Sequence, residues 1–545
     1  MLSTLLLSLF TSAALQYSDG EEFGPFEIGI AAEVLGLEFT ESELELMFSD
    51  VAERLAEFER LRAIPLENGV WPALVFQPRP SAPLRPARKL PKPIPAAAAP
   101  LVRPDDLEEL AFASIDELSQ LLLTRQVSCL ELTEMFLARL ERLDEKLLCV
   151  ITLTPERALE QARARDRELD ATPRQWRGPL HGIPWVAKDL LAVKGYPTTW
   201  GARPYEHQTL EFDAAVVERL DEAGAVLIAK TTLGALAWGD VWFGGTTRNP
   251  WNLEEGSSGS SAGPAAAVAA GCAPFAIGSE TLGSIVSPSD RCGNSSLRPS
   301  FGRVSRHGAM ALAWSMDKLG PLCRSALDAG RVFEAIAGRD VRDPATRDAA
   351  FSVNATSGIE GWKIGVPRGA FEGTRGEPFR TVLAELEGLG AELVPLKLPD
   401  YPVAEMMIIL TAEAGAAFDD FTRADRDDEL VRQVRQAWPN VLRHAKLIPA
   451  VDYIRANRLR TLLIAEFDAA IEGLHALVHP SFSANVLETT NLTGHPTLVA
   501  PCGFNEDGTP YSISFTGQLD GETHLIALAA AWQDATEYHR RHPSF

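Results

Sequence analysis

Between Gly256 and Arg303 the chain reads GSSGSSAGPAAAVAAGCAPFAIGSETLGSIVSPSDRCGNSSLRPSFGR, a run so rich in glycine, serine and alanine that few folds can house it. Glycine loses the most backbone entropy on folding, and serine competes for its own backbone rather than extending a helix. A segment selected for stability alone would avoid both. Such density is offset where backbones must approach closely or hydroxyls do chemistry, so the run reads as the floor of an active site.

The surroundings are those of a large enzyme. With 545 residues, 46% of them hydrophobic, the chain can bury a sizeable core, as two or more domains or one large fold. A net charge of −23 speaks against a nucleic-acid partner, which needs clustered cations to displace counterions. A small molecule without strong negative charge fits better. The six cysteines show neither zinc-site spacing nor the density of a disulfide scaffold, and are expected as buried thiols. No apolar run approaches the length of a membrane span.

The chain divides at composition changes. Residues 1–20, MLSTLLLSLFTSAALQYSDG, carry a short apolar stretch ending in small residues but no basic residue, which leaves open an export signal peptide or an N-terminal arm on a cytoplasmic protein. Over 21–77 a helical extension is expected, because Thr40 and Glu43 form a capping box and Leu44, Met47, Phe48, Val51, Leu55 and Phe58 recur at helical spacing. Residues 78–104 are Pro-rich and basic, an extended linker that straps the extension to the body. From 105 to 545 one catalytic domain is expected. Its first three helices are announced by Ser114 with Glu117, Ser128 with Glu131, and Thr154 before Pro155. Beyond them GIPWVAKDLL, AVLIAKTT, WKIGVPRG and ALVHPS are short apolar runs of a buried sheet in an α/β domain.

Ser284 has the local features of a nucleophile. Thr281, Leu282, Gly283 and Ser284 can turn their successive N–H groups toward a developing oxyanion. The motifs GIPWVAKDLLAVKGYPTTWGA (182–202), NPWN (249–252), GSSAGPAAAVAAG (259–271), GSETLGSIVSPSDRCG (278–293), GRVSRHG (302–308), SMDKLGPLCRS (315–325) and NLTGHPTLVAPCGF (491–504), in this order and spacing, resemble the amidase signature family. The resemblance covers roughly residue 110 to the C-terminus. It implies an α/β/α sandwich around a twisted mixed β-sheet, here with the N-terminal helical extension added.

It also implies roles. Ser284 is the acyl-accepting nucleophile, Ser260 the bridging serine held through a cis Gly259–Ser260 peptide, and Lys188 the base. Lysine ordinarily titrates near about 10.4, so it serves as a base near neutrality only if burial disfavours its charge. Trp185, Val186 and Ala187 make that burial plausible, whereas a solvated lysine would simply pair with a neighbour such as Asp189. A serine can donate one hydrogen bond while accepting another, so Ser260 can relay a proton.

Departures from the family pattern bear on the substrate. Glu280, Thr281, Leu282, Gly283, Ser284 stands where the family often has Asp-x-Gly-Gly-Ser, which keeps the backbone donors but narrows the space. Val286 stands where many members place an arginine that can hold a substrate carboxylate, which favours neutral or apolar amides. Gly259, Val286, Trp238 and Trp242 are candidate substrate contacts, the two tryptophans being equally readable as core. Asp317 reads as structural. His539 and His542 read as a solvated helix face rather than a metal site.

The expectation is therefore a serine-dependent amidohydrolase for small-molecule amides, with esters or carbamates as further substrates. It needs no cofactor or metal and works as a monomer or homodimer. The alternatives are the glutaminase-type A-subunit of a tRNA-dependent amidotransferase, and a non-catalytic binding protein on the same scaffold.

Overall fold

The computed structural model describes residues 24–64, 74, 102–353 and 358–545. Eleven strands form one sheet: β1 (Val150–Leu153), β2 (Pro184–Lys188), β3 (Val226–Thr231), β4 (Phe275–Glu280), β5 (Ser295–Arg298), β6 (Lys318–Cys323), β7 (Lys363–Pro367), β8 (Glu392–Leu396), β9 (Ala476–Pro480), β10 (Thr497–Phe504) and β11 (Pro510–Thr516). Their spatial order is β1-β3-β2-β4-β6-β5-β10-β11-β9-β7-β8. The sheet is mixed, as expected. β2 runs parallel to β3 and β4, β7 runs parallel to β8 and β9, and the other neighbours are antiparallel.

The four apolar runs singled out in the sequence are β2, β3, β7 and β9, and each has a parallel neighbour. Every residue of β2 and β3 is buried, because helices cover both faces of a parallel segment and leave no polar side. The capping boxes at Ser114 and Ser128 form, each serine accepting from the N–H three residues on and receiving the glutamate in return. At the third helix, Pro155–Asp170, the start is as expected but the cap is not. The Thr154 hydroxyl donates to the Leu227 carbonyl at 2.8 Å, tying the helix to β3 instead.

In the N-terminal region two helices, Pro25–Val34 and Glu41–Ala63, are described, the second opening on the Thr40–Glu43 capping box. Of its expected stripe Met47 and Phe58 are buried, whereas Leu55 is 44% exposed and Leu61, outside the stripe, is fully buried. The reason is tertiary: this helix packs against Trp438–Ala445 and Ala450–Ala470, and Leu459 and Leu463 of the latter share an apolar cluster with Leu61. Residues 1–20, and all but the last three residues of the Pro-rich segment, lie outside the described residues. All six cysteines are unpaired and buried. Among the described residues no helix is long and apolar enough to cross a membrane.

Since β2 and β4 are parallel, their carboxyl ends meet at one sheet edge, the usual place for a site in such a layer. Lys188 closes β2 and Glu280 closes β4. The Gly/Ser-rich run supplies the loop before the Ala262–Ala269 helix and the turn between β4 and the Val286–Cys292 helix.

Candidate active site

Lys188 is 0% exposed. Its Nζ lies 2.8 Å from Ser260 Oγ, 2.8 Å from Ser279 Oγ, 3.1 Å from Ser261 Oγ and 3.4 Å from the Ser279 carbonyl. These partners are all neutral oxygens. Burial pushes the lysine well below its ordinary pKa, and the more distant charges of Glu280 and Asp317 only partly oppose the shift. Asp189 does not pair with it. That carboxylate turns to Lys230 at 2.6 Å and accepts from the Thr199 N–H and hydroxyl at 2.7 and 2.5 Å.

The Gly259–Ser260 peptide is cis, in agreement with the sequence reading. Gly259 is dictated by packing, since a Cβ there would lie 1.9 Å from the Gly239 carbonyl oxygen. The Asp240 carboxylate accepts from the Ser258 N–H at 3.0 Å and fixes the residue preceding that glycine. The Ser261 N–H in turn donates to the Ser284 carbonyl at 3.0 Å, joining this loop to the turn after β4.

That turn is wrapped on a carboxylate. Glu280 Oε2 accepts from the N–H groups of Ile285 and Val286 at 2.8 and 2.9 Å, while Oε1 accepts from Arg298 and Asn491, both at 2.8 Å. Burial alone would raise its pKa, but the charge and hydrogen bond of Arg298 overcome this and hold it at about 2. Gly283 takes the left-handed φ of 79° that the reversal needs. The Thr281 hydroxyl donates to Asp317 at 2.6 Å, and Asp317 also accepts from the N–H groups of Leu312 and Ala313. The N–H groups of Thr281, Leu282, Gly283 and Ser284 donate to no acceptor among the described residues. Four unengaged donors in succession on a braced turn can receive a developing negative oxygen.

A cavity of about 1220 Å³ reaches this cluster at Ser279 and Thr281. Met310, Leu312 and Trp314 give it an apolar lining, and Glu413, Tyr453 and Arg460 add polar groups to its wall. Of the cations lining it, Arg306 pairs with Asp343 at 2.9 Å, Arg342 with Glu218 at 2.6 Å and Lys446 with Asp419, whereas Arg460 donates to neutral oxygens, the Ser315 hydroxyl and carbonyl at 2.8 and 2.7 Å and the Leu492 carbonyl.

The Amidase family profile matches residues 131–526, well over half of the chain. The chain belongs to the amidase family. Among its relatives is the A-subunit of the glutamyl-tRNA(Gln) amidotransferase of Moorella thermoacetica, 35% identical over 486 residues that span 80% of this chain and 99% of the relative. The native peptide amidase from Stenotrophomonas maltophilia shares the fold with a TM-score of 0.71 and 32% identity, covering 80% of this chain and 99% of that one. The corresponding amidotransferase A-subunit from Thermotoga maritima does so with a TM-score of 0.65 and 27% identity, covering 79% and 96%. The motif resemblance to amidase signature enzymes is thereby borne out, together with the mixed-sheet fold.

Of the amidase residues named from sequence, the structure gathers Lys188, Ser260 and the Thr281–Ser284 turn at one sheet edge. Ser284 is half-buried, and its Oγ makes no hydrogen bond to a described residue. Of the candidate catalytic, oxyanion and substrate residues only Thr281 lines the cavity; Lys188, Ser260, Leu282, Gly283 and Ser284 do not, and neither do Gly259, Val286, Trp238 and Trp242. Val286 is fully buried with its N–H on Glu280. Trp238 meets Trp438 edge-on at 4.8 Å, and Trp242 meets Phe243 at 4.9 Å. Of the C-terminal histidines, His542 is exposed as expected, but it lies beyond the last helical turn with its ring stacked on Phe112 at 3.9 Å, and His539 is half-buried, which lowers it to about 4. Sequence reasoning passed over Ser261 and Ser279 as lysine partners and Glu280 as the brace. The only signal for them was membership of the quoted motifs: the two serines meet Lys188 across 73 and 91 residues, and Glu280, though its bonds to the turn are local, is completed by Arg298 and Asn491, 18 and 211 residues away.

Proposed function

We propose that this protein cleaves a carboxamide by serine-dependent acyl transfer, with Ser284 as nucleophile, Ser260 as proton bridge and Lys188 as base. One observation carries the reading: Lys188 is wholly buried among neutral oxygens, 2.8 Å from the serine of the cis peptide. A lysine held uncharged in this way has a lone pair to receive a proton.

In the proposed sequence Ser284 Oγ attacks the carbonyl carbon while its proton passes through Ser260 to Lys188. The oxyanion faces the N–H groups of residues 281–284, each such donor being worth about 10²–10³ in rate. Collapse breaks the C–N bond, and the proton returns from Lys188 through Ser260 to the departing nitrogen. Water then enters by the same relay and releases the acid from the Ser284 ester. The sequence uses only groups this chain carries.

The relatives weigh on the glutaminase-type side of the two amidase roles expected from sequence. The M. thermoacetica amidotransferase component matches over nearly its whole length, and in that role the chain would act with partner subunits instead of as a monomer or homodimer. A second reading, a free-standing amidase for neutral or apolar amides, is favoured by a specific observation. Arg306, Arg342 and Lys446 at the cavity are already paired with carboxylates, the Arg460 guanidinium is taken up by Ser315 and Leu492 oxygens, and buried Val286 offers no charge to a substrate carboxylate.

Incubation with a serine-reactive fluorophosphonate, followed by intact mass, tests the shared chemistry: wild type gains one adduct and Ser284→Ala gains none. Equal labelling of the two would overturn the assignment. Ammonia release from glutamine, dependent on co-purifying subunits, supports the first role. Hydrolysis of a neutral aryl anilide by the chain alone supports the second.

A further inference from the structure

The Glu41–Ala63 helix lies outside the matched stretch, which begins at Glu131, yet it is built into the protein. Phe58 and Leu61 are buried in an apolar cluster with Ile409, Leu459 and Leu463. Ala313 and Met316 belong to the same cluster, in the loop that ends at Asp317, whose carboxylate holds Thr281.

Both ends of the helix are clamped. Near its start Glu43 meets Arg443 at 2.7 Å, and this guanidinium, 4% exposed, also meets Asp427 and Asp428 at 2.7 Å. In mid-helix Asp50 accepts from Arg435 and Asn440 at 2.8 and 2.7 Å. Toward its end Arg62 donates to both oxygens of Asp452 at 3.0 and 2.6 Å. Arg455 donates to the carbonyls of Leu61 and Arg62 at 2.8 and 2.9 Å and to that of Ile64, satisfying groups that a helix C-terminus leaves free. Exposed ion pairs contribute little by themselves. Here they add register to an interface whose centre is apolar.

The elements gripped in this way form the cavity wall. Ala412 and Glu413 come from the Ile408–Ala417 helix, Ala445 ends Trp438–Ala445, and Tyr453, Arg460 and Ile464 come from Ala450–Ala470. Close-packed layers pass a displacement on rather than absorb it, so the back of these helices governs the position of their front.

We propose that the Glu41–Ala63 helix is a specificity-determining splint, clamped to two of the wall helices and packed on the third through the apolar cluster, which sets the width of the cavity and so the size of amide admitted to Ser284. The proposal rests on the reading that this cavity holds the substrate.

The experiment uses the full chain in two variants: Phe58→Ala/Leu61→Ala, which loosens the apolar centre, and the milder Glu43→Gln/Arg455→Gln, which removes one polar clamp near each end. Fluorophosphonate labelling of Ser284, kcat and KM for propanamide and for 4-phenylbutanamide, and hydrogen exchange of residues 408–470 are measured. Labelling and propanamide turnover should stay within about twofold of wild type, KM for 4-phenylbutanamide should move by about tenfold, and the wall helices should exchange faster. A constant ratio between the two amides in both variants, whether both fall together or neither changes, would overturn the splint. Should wild type neither label nor turn over either amide, the acyl-enzyme reading fails. Hydrogen exchange then decides the splint alone, and unchanged protection of residues 408–470 overturns it.

Discussion

Two lysines on neighbouring strands are equally buried and differently partnered. Lys188 at the end of β2 and Lys230 in β3 are both 0% exposed. Lys230 has Asp189 at 2.6 Å, and Lys188 has hydroxyls and a carbonyl. Burial lowers the pKa of both, but only for Lys230 do the charge and hydrogen bond of an adjacent carboxylate oppose it, while burial raises Asp189 in turn. Depth alone therefore does not make a base. In the proposed mechanism a buried lysine serves as a base because the site withholds its counter-ion, whereas one supplied with its counter-ion is a structural tie.

The sharpest way to break this contrast is Lys188→Met. Turnover should fall by about 10⁴-fold, the upper range for loss of a general base. Thermal stability should rise at the same time, and calorimetry of the variant checks it. The sign follows from linkage: the folded pKa of Lys188 lies below its ordinary value, so between the two the unfolded chain binds more protons. Lys188 therefore costs stability at neutral pH, the cost growing as pH falls toward the folded pKa. In wild type kcat/KM should decline as pH falls through that depressed pKa, and a pH-independent profile would contradict a neutral-lysine base.

Lys230→Met should do the reverse. It leaves Asp189 charged and unpaired in the interior, at about 3–5 kcal/mol of stability by chemical denaturation. Folded enzyme should keep the pH dependence of wild type. Adding Asp189→Leu to Lys230→Met should recover most of the loss, because an apolar pair replaces the ionic one.

Glu280→Gln tests a carboxylate that, unlike Asp189, positions the turn itself. Its folded pKa of about 2 lies below the ordinary 4.5, so its contribution is present above the ordinary value and lost as pH falls toward 2. At roughly 1.4 kcal/mol per unit this is about 3 kcal/mol, which the variant should lack at neutral pH. Thr281→Val is the smallest change. It removes one donor from Asp317, which keeps the N–H groups of Leu312 and Ala313, so about 1–2 kcal/mol and a modest rise in KM are expected.

Much of the scaffold was legible beforehand. The apolar runs became β2, β3, β7 and β9, and the Ser114 and Ser128 capping boxes formed, because both depend on residues within one or two turns of each other. The family resemblance carried by the motifs implied roles for Lys188, Ser260 and Ser284 and a cis Gly259–Ser260 peptide, and the peptide is cis. What failed to show was non-local. Thr154 reaches β3 in place of its own helix, Leu61 replaces Leu55 on the buried face, and His542 lies on Phe112.

The sequence by itself thus determined the family, the mixed sheet and which residue types stand at the site. Only the tertiary structure decided that Asp189 faces Lys230, that Ser261 and Ser279 join Ser260 around Lys188, and that Glu280 draws in Arg298 and Asn491. The physical reason is that charge state depends on desolvation and on the nearest partner. Both are set by segments tens to hundreds of residues away, which local pattern does not encode.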